Sequence, residues 1–202
     1  MSRHASGRTR AKGEVMALEH AVTAFMRDVK AILAEFGSTD DGMKRIAERM
    51  RLLVRDDAVV GDEPDAGGNI HTGKQSGPLY SDDAGLVLVR ARFGPEEMTP
   101  IHNHGSWGVI GVYKGRDRYQ VWRCLDECFR PGTANIELVE ERVLEPGDVV
   151  VLPHPPNDIH AQQGLDGEPA YELVLFGSDV AMTQPRLYFD PEAGIAREVK
   201  LR

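Results

Sequence analysis

The stretch from Thr99 to Gly115, TPIHNHGSWGVIGVYKG, constrains this chain most. It sets His102 and His104 two positions apart, after one apolar-rich run and before another. Side chains at i and i+2 of a strand point to the same face. Two imidazoles on one face, ending in a tight Gly turn, can grip a single metal ion. Imidazole is a nitrogen donor to Zn, Cu, Fe and Ni. Taken alone, the pair also fits two surface histidines in a loop.

A third histidine, His160, lies in Pro155-Pro-Asn-Asp-Ile-His160, after Glu145-Pro-Gly-Asp-Val-Val-Val-Leu-Pro153. That preceding segment reads as a turn and then a buried strand. His154, between Pro153 and Pro155, is a competing third donor. Further strand-like runs fill the gap between the histidines, and Gly115 is expected to close a first hairpin. Three neutral ligands suit Fe(II), and by softness also Zn, Ni or Cu. They leave coordination positions open, which suits catalysis or small-molecule binding better than a closed structural site. Such a set adds no negative charge, so an anion can approach the ion without repulsion from a resident carboxylate.

The rest of the chain divides by pattern. Residues 1–13 are basic and polar and read as a disordered tail. Residues 14–56 read as a helical extension. Val15, Leu18, Val22, Phe25, Met26, Val29, Ile32 and Leu33 recur at helical spacing up to Gly37, a C-cap signal. Ser38 or Asp40 can cap a second helix carrying Met43, Ile46, Met50, Leu53 and Val54. Residues 57–202 read as the barrel unit. They open on a Gly-, Pro- and Asp-rich loop, over 56–77, that either covers the barrel mouth or moves freely. Strands are expected over 86–93, 107–113, 117–124, 135–143, 148–152, 170–176 and 186–189. In the first, Val87, Val89, Ala91 and Phe93 share one face and Arg90 and Arg92 the other.

Charge narrows the partners. The net charge of −8 argues against nucleic acid, which selects a basic face. No apolar run is long enough for a membrane span, and no apolar stretch follows the basic N-terminus as a secretory signal would require. Cys124 and Cys128 do not make a disulfide framework, and no CxxC pair accompanies them. A cytoplasmic, reducing location is the simplest expectation. The oligomer is expected to be a monomer or homodimer.

The histidine motifs resemble those of the cupins, the double-stranded β-helix barrels. The first cupin motif appears as His102-Asn-His104, Gly-Ser-Trp, Gly108, six residues and Gly115. Gly108 stands where the usual Glu ligand would be. The second appears as Gly147, five residues, Pro153, a slightly long loop and His160, which ranks His160 above His154. A three-His set without the Glu is similar to the cysteine dioxygenase-like thiol dioxygenases, especially the bacterial 3-mercaptopropionate dioxygenase branch. The resemblance spans roughly residues 75–180. It implies a mainly β cupin barrel with two N-terminal α-helices on its outside. It also implies one Fe(II) held by His102, His104 and His160, with O2 oxidising the sulfur of a small thiol-bearing organic acid to a sulfinate.

The family anchors the substrate carboxylate before its first strand, near Gln75. Tyr80, Arg90 and Arg92 are other possible anchors. Trp107, Val174 and Phe176 would wall the pocket, and Asp158 would orient a ligand imidazole. The sequence departs from the family on one strand. Where thiol dioxygenases carry Ser, His and Tyr, this chain has Glu172, Val174 and Phe176. That departure keeps two other readings open: a non-catalytic cupin that binds a metal or ligand, and a three-His dioxygenase acting on a non-thiol compound.

Overall fold

In the computed structural model, residues 12–60, 78–178 and 185–200 are described. The first helix, α1 (Lys12–Phe36), buries Leu18, Val22, Phe25, Met26 and Val29 along one stripe. Gly37 ends it in the left-handed conformation, φ +63°, and its N–H bonds back to Leu33 O at 3.0 Å. The second helix, α2 (Asp40–Leu53), is capped by Thr39, whose Oγ1 accepts from Gly42 N at 3.3 Å. The expected caps, Ser38 and Asp40, are therefore corrected to the residue between them. Asp40 instead lies in the first turn with Asp41, where a carboxylate favours the positive end of the helix dipole. Within the stretch expected to be loop, Asp57–Val60 forms a short third helix, α3, that buries Val59. Residues 61–77, and with them Gln75, lie outside the described residues.

The remaining elements are strands: β1 (Tyr80–Ser81), β2 (Val87–Phe93), β3 (Ile101–His102), β4 (Gly108–Lys114), β5 (Asp117–Cys124), β6 (Gly132–Thr133), β7 (Ile136–Leu144), β8 (Val149–Leu152), β9 (Ile159–Gly164), β10 (Ala170–Phe176), β11 (Arg186–Asp190) and β12 (Ile195–Val199). They make two antiparallel sheets. One runs β1-β2-β10-β4-β8 and the other β6-β12-β11-β3-β9-β5-β7. Chain-adjacent strands repeatedly fall in opposite sheets, which is the double-stranded β-helix of the cupins. The fold is thus mainly β with N-terminal helices. The turn at Gly115, φ +73°, does not close a hairpin as expected. It joins β4 of one sheet to β5 of the other, because β4 pairs with β10 and β8 while β5 pairs with β7 and β9.

Alternation explains the layers. On β2, Val87, Val89, Ala91 and Phe93 face the barrel interior with Ile110, Val112, Val174 and Phe176. The opposite face of this sheet, with Leu88, Val109, Leu173 and Leu175, is covered by the helices. β4 is therefore buried on both faces, and its run reads as continuously apolar. Helix α2 comes so close that a Cβ on Gly111 would lie 2.7 Å from Val54 Cγ1 and 2.8 Å from Met50 Cγ. A third cluster, with Ile136, Ile159, Leu187, Phe189 and Ala196, packs on the outer face of the other sheet. Cys128 is buried in it and is joined to Cys124 as a disulfide. This one bridge between near neighbours was not expected from the sequence. It closes the turn after β5, where Asp126 Oδ2 also accepts from Asn135 N at 2.9 Å. No helix among the described residues is long and apolar enough to cross a membrane.

Candidate metal centre

The three expected ligands converge. His102 ends β3, His104 lies in the turn that follows, and His160 is on β9, register partner of His102. All are buried, at 2%, 6% and 3% exposure. One ring nitrogen from each falls within 4.8 Å of the others, and His104 Nε2 is 2.8 Å from His160 Nε2. His102 Nδ1 lies 2.8 Å from Pro100 O. A carbonyl can only accept, so this ring carries its proton on Nδ1 and turns the Nε2 lone pair to the centre. Nitrogens bound to one ion at about 2.0–2.1 Å sit roughly 3 Å apart. The donor set therefore fits a single metal ion. His154 is elsewhere, its Nε2 2.8 Å from Ser38 O beside the helices.

The missing carboxylate ligand has a steric cause. A Cβ on Gly108 would lie 2.9 Å from Leu175 O, 3.5 Å from the Phe176 ring and 3.6 Å from Leu152 Cβ. Phe176 occupies that corner, its ring 4.7 Å from that of His104. No side chain fits there.

Asp158 acts differently from expectation. It is fully buried. Oδ2 accepts from the backbone N–H of His104 at 2.8 Å and of Gly105 at 2.6 Å. It holds the turn that carries His104, and it stands immediately before the strand that carries His160. Burial pushes its carboxyl above the ordinary value, and the N–H donors oppose that shift.

The cavity beside the histidines is lined by Val89, Ala91, Phe93, Ile110, Val174, Phe176, Gln162 and Arg186. Val174 and Phe176 thus share the site with the metal ligands. Three other expected contacts lie elsewhere than on this lining. Arg90 lies on β2 between Val89 and Ala91 and so points away from the interior. Tyr80 packs against the helix-side cluster, and its hydroxyl bonds Asp82 at 2.9 Å. Trp107 belongs to the same cluster and sits against Gly177 and His154.

Two polar residues of the cavity were not expected. Arg186 begins β11, 1% exposed, with Tyr188 on the same face 6.1 Å from the His102 ring. Burial draws its guanidinium down to about 10, still protonated at neutral pH. Gln162, 1% exposed, follows His160 by two on β9. The same-face rule that paired His102 with His104 would have found it. For Arg186 the signal is the alternation of Arg186 and Tyr188 with the apolar Leu187 and Phe189.

Beyond the ligands lies a buried acid pair. Asp117 and Glu172 are fully buried and hydrogen-bond each other. Burial pushes Asp117 up to about 7 and Glu172 well above its ordinary range.

No protein-family model matches the chain. Among solved structures, it is similar to an oxalate oxidase, at 24% identity over 62% of each chain, TM-score 0.41. It is similar to a DMSP lyase from Ruegeria pomeroyi, at 21% identity over 55% of this chain and 46% of that one, TM-score 0.37. It is also similar to a cupin-like protein from Thermotoga maritima, at 20% identity over 53% of this chain and 66% of that one, TM-score 0.34. In each case the match spans less than two thirds of the other protein's length.

Proposed function

We propose that this protein is a mononuclear Fe(II)-dependent dioxygenase that oxidises a small thiol-bearing organic acid to a sulfinate with O2. The observation that carries the reading is the buried, neutral three-His cluster with a buried arginine on the wall of the same cavity. His102, His104 and His160 would hold the ion. Bound iron would bring thiolate and O2 together and relay four electrons from the sulfur, which is oxidised, to the O2, both of whose atoms end in the sulfinate. The chain's own residues do the rest. Pro100 and the His102 Nδ1 proton fix one imidazole, and Asp158 fixes the backbone of another. Arg186 offers a fork of N–H donors that matches a carboxylate in bidentate fashion. Val89, Val174 and Phe176 exclude water from the sulfur. The substrate of this reading is a small acid.

The apolar wall favours one second reading, a three-His dioxygenase for a non-thiol acid or diketone. Oxygen uptake by the iron-loaded protein separates the two. The panel holds cysteine, cysteamine, 3-mercaptopropionate, mercaptosuccinate, non-thiol acids and diketones, with His160→Ala and Arg186→Met as controls. Thiol-dependent uptake, lost in His160→Ala and raised in KM in Arg186→Met, supports the proposal. Uptake with non-thiols alone transfers it to the second reading. No uptake with full iron loading leaves a binding module.

A further inference from the structure

Gln162 shares the inward face of β9 with His160 and lines the metal cavity. Its backbone is pinned to Thr99, whose Oγ1 accepts from Gln162 N at 3.0 Å and whose N–H donates to Gln162 O at 2.9 Å. Its amide is oriented from behind by the acid pair. Asp117 Oδ1 accepts from Gln163 N at 3.0 Å. Asp117 Oδ2 and Glu172 Oε1 have no further partner, so one proton held between the two carboxyls satisfies both. Glu172 Oε2 is then an acceptor, and it takes Gln162 Nε2 at 3.1 Å. This leaves Gln162 Oε1, a buried acceptor with no donor among the described residues. A buried acceptor left without a donor costs free energy, and a ligand N–H or O–H removes that cost.

We infer that Gln162 is the specificity residue of the pocket, its Oε1 receiving a hydrogen bond from a hydroxyl or ammonium group that the ligand carries besides its carboxylate. The inference rests on the reading of the cavity as a small-acid site. A ligand with only an acceptor at that point sets two oxygens face to face, and a purely apolar one leaves Oε1 unsatisfied. Discrimination built on an unpaired buried polar group is stronger than discrimination by a methylene in an apolar pocket.

The test is binding, not turnover. Anaerobic optical titration of the Co(II)-loaded protein compares 3-mercaptopropionate with its 2-hydroxy and 2-amino derivatives. The donor-bearing compounds are expected to bind about tenfold more tightly. In Gln162→Met, with metal stoichiometry retained, the three affinities converge to within about twofold. Glu172→Gln touches neither ligand nor metal, but its amide N–H can donate to Gln162 Oε1. It should lower the preference while leaving 3-mercaptopropionate binding intact, and it serves if Gln162→Met does not fold. Equal binding of all three by the wild-type protein, as a trapped water on Oε1 would give, overturns the Gln162 assignment alone. So does a preference that survives in Gln162→Met. Binding of none of the three overturns the small-acid reading with it.

Discussion

His104 Nε2 and His160 Nε2 stand 2.8 Å apart although the residues are 56 positions apart in sequence. His104 is set by a turn, His160 by a strand, and the two are tied through the Asp158 carboxylate.

Removing one imidazole should abolish tight binding. His160→Ala is expected to bind Fe(II), Co(II) or Zn(II) at least a hundredfold more weakly than wild type, since two protein ligands remain. Chelator competition reads the affinity. The wild-type melting temperature should rise with added metal and that of the variant should not.

Asp158→Ala should keep the fold and loosen the site. Removing the carboxylate takes away the acceptor of the His104 and Gly105 N–H groups. The expectation is a 10- to 100-fold loss of metal affinity, typical of groups that support a ligand without touching the ion. Unchanged affinity by the same competition assay would refute this role.

A carboxylate cannot be returned to the usual fourth-ligand position. Gly108→Glu drives its Cβ into Leu175 O. It should destabilise the barrel by about 1–3 kcal/mol and gain no metal affinity. Gly108→Ala separates the causes, showing the destabilisation without the charge. Denaturant melts and metal titration on both variants check the point.

The acid pair sets a pH dependence whose sign follows from its raised values. The unfolded chain releases the Asp117 proton near the ordinary 3.8, while the folded chain holds it to about 7. Between those values the folded state binds more protons, so stability falls as pH rises, by up to about 1.4 kcal/mol per pH unit for one proton. Glu172 is raised in the same direction and extends the trend upward. Asp117→Asn should flatten the curve over that window. Urea melts of both proteins from pH 4 to 8 would show parallel curves if the pair played no part.

Reduction of the Cys124–Cys128 disulfide should cost about 2 kcal/mol, the closure entropy of a very short loop. The change should leave metal stoichiometry intact, because the cysteines pack on the outer face of the sheet and the histidines on the inner one. Mass spectrometry of alkylated, non-reduced protein establishes the bond, and melts with and without dithiothreitol give its size.

β2, β5 and β10 are legible almost to the residue from runs of strand formers bounded by Gly or Pro, although Asp117 and Glu172 interrupt the inward faces of the last two. β9 was not read as a strand, because its inward positions are His160 and Gln162 rather than apolar residues. The short strands β1, β3, β6 and β12 leave too few residues for any period to show. At the site, the histidines were legible through their own spacing. The wall was only partly so. Arg90 and Arg186 are equally plausible anchors on paper, and only the sheet face to which each strand commits them tells them apart. Asp158 lies in the expected neighbourhood, but a carboxylate beside histidines in sequence gives no hint that it grips backbone N–H groups.

The distribution of the ligands along the chain has a consequence for the order of events during synthesis. A chain growing from its N-terminus displays His102 and His104 long before His160, and until β9 has emerged and paired with β3 it offers no complete grip. Metal selection is thus deferred to a nearly finished barrel. Until then the three imidazoles of this site cannot act together. The ion finally taken is chosen by a cage of set width, while Val174, Phe176 and Arg186 of the pocket wall have still to follow along the chain.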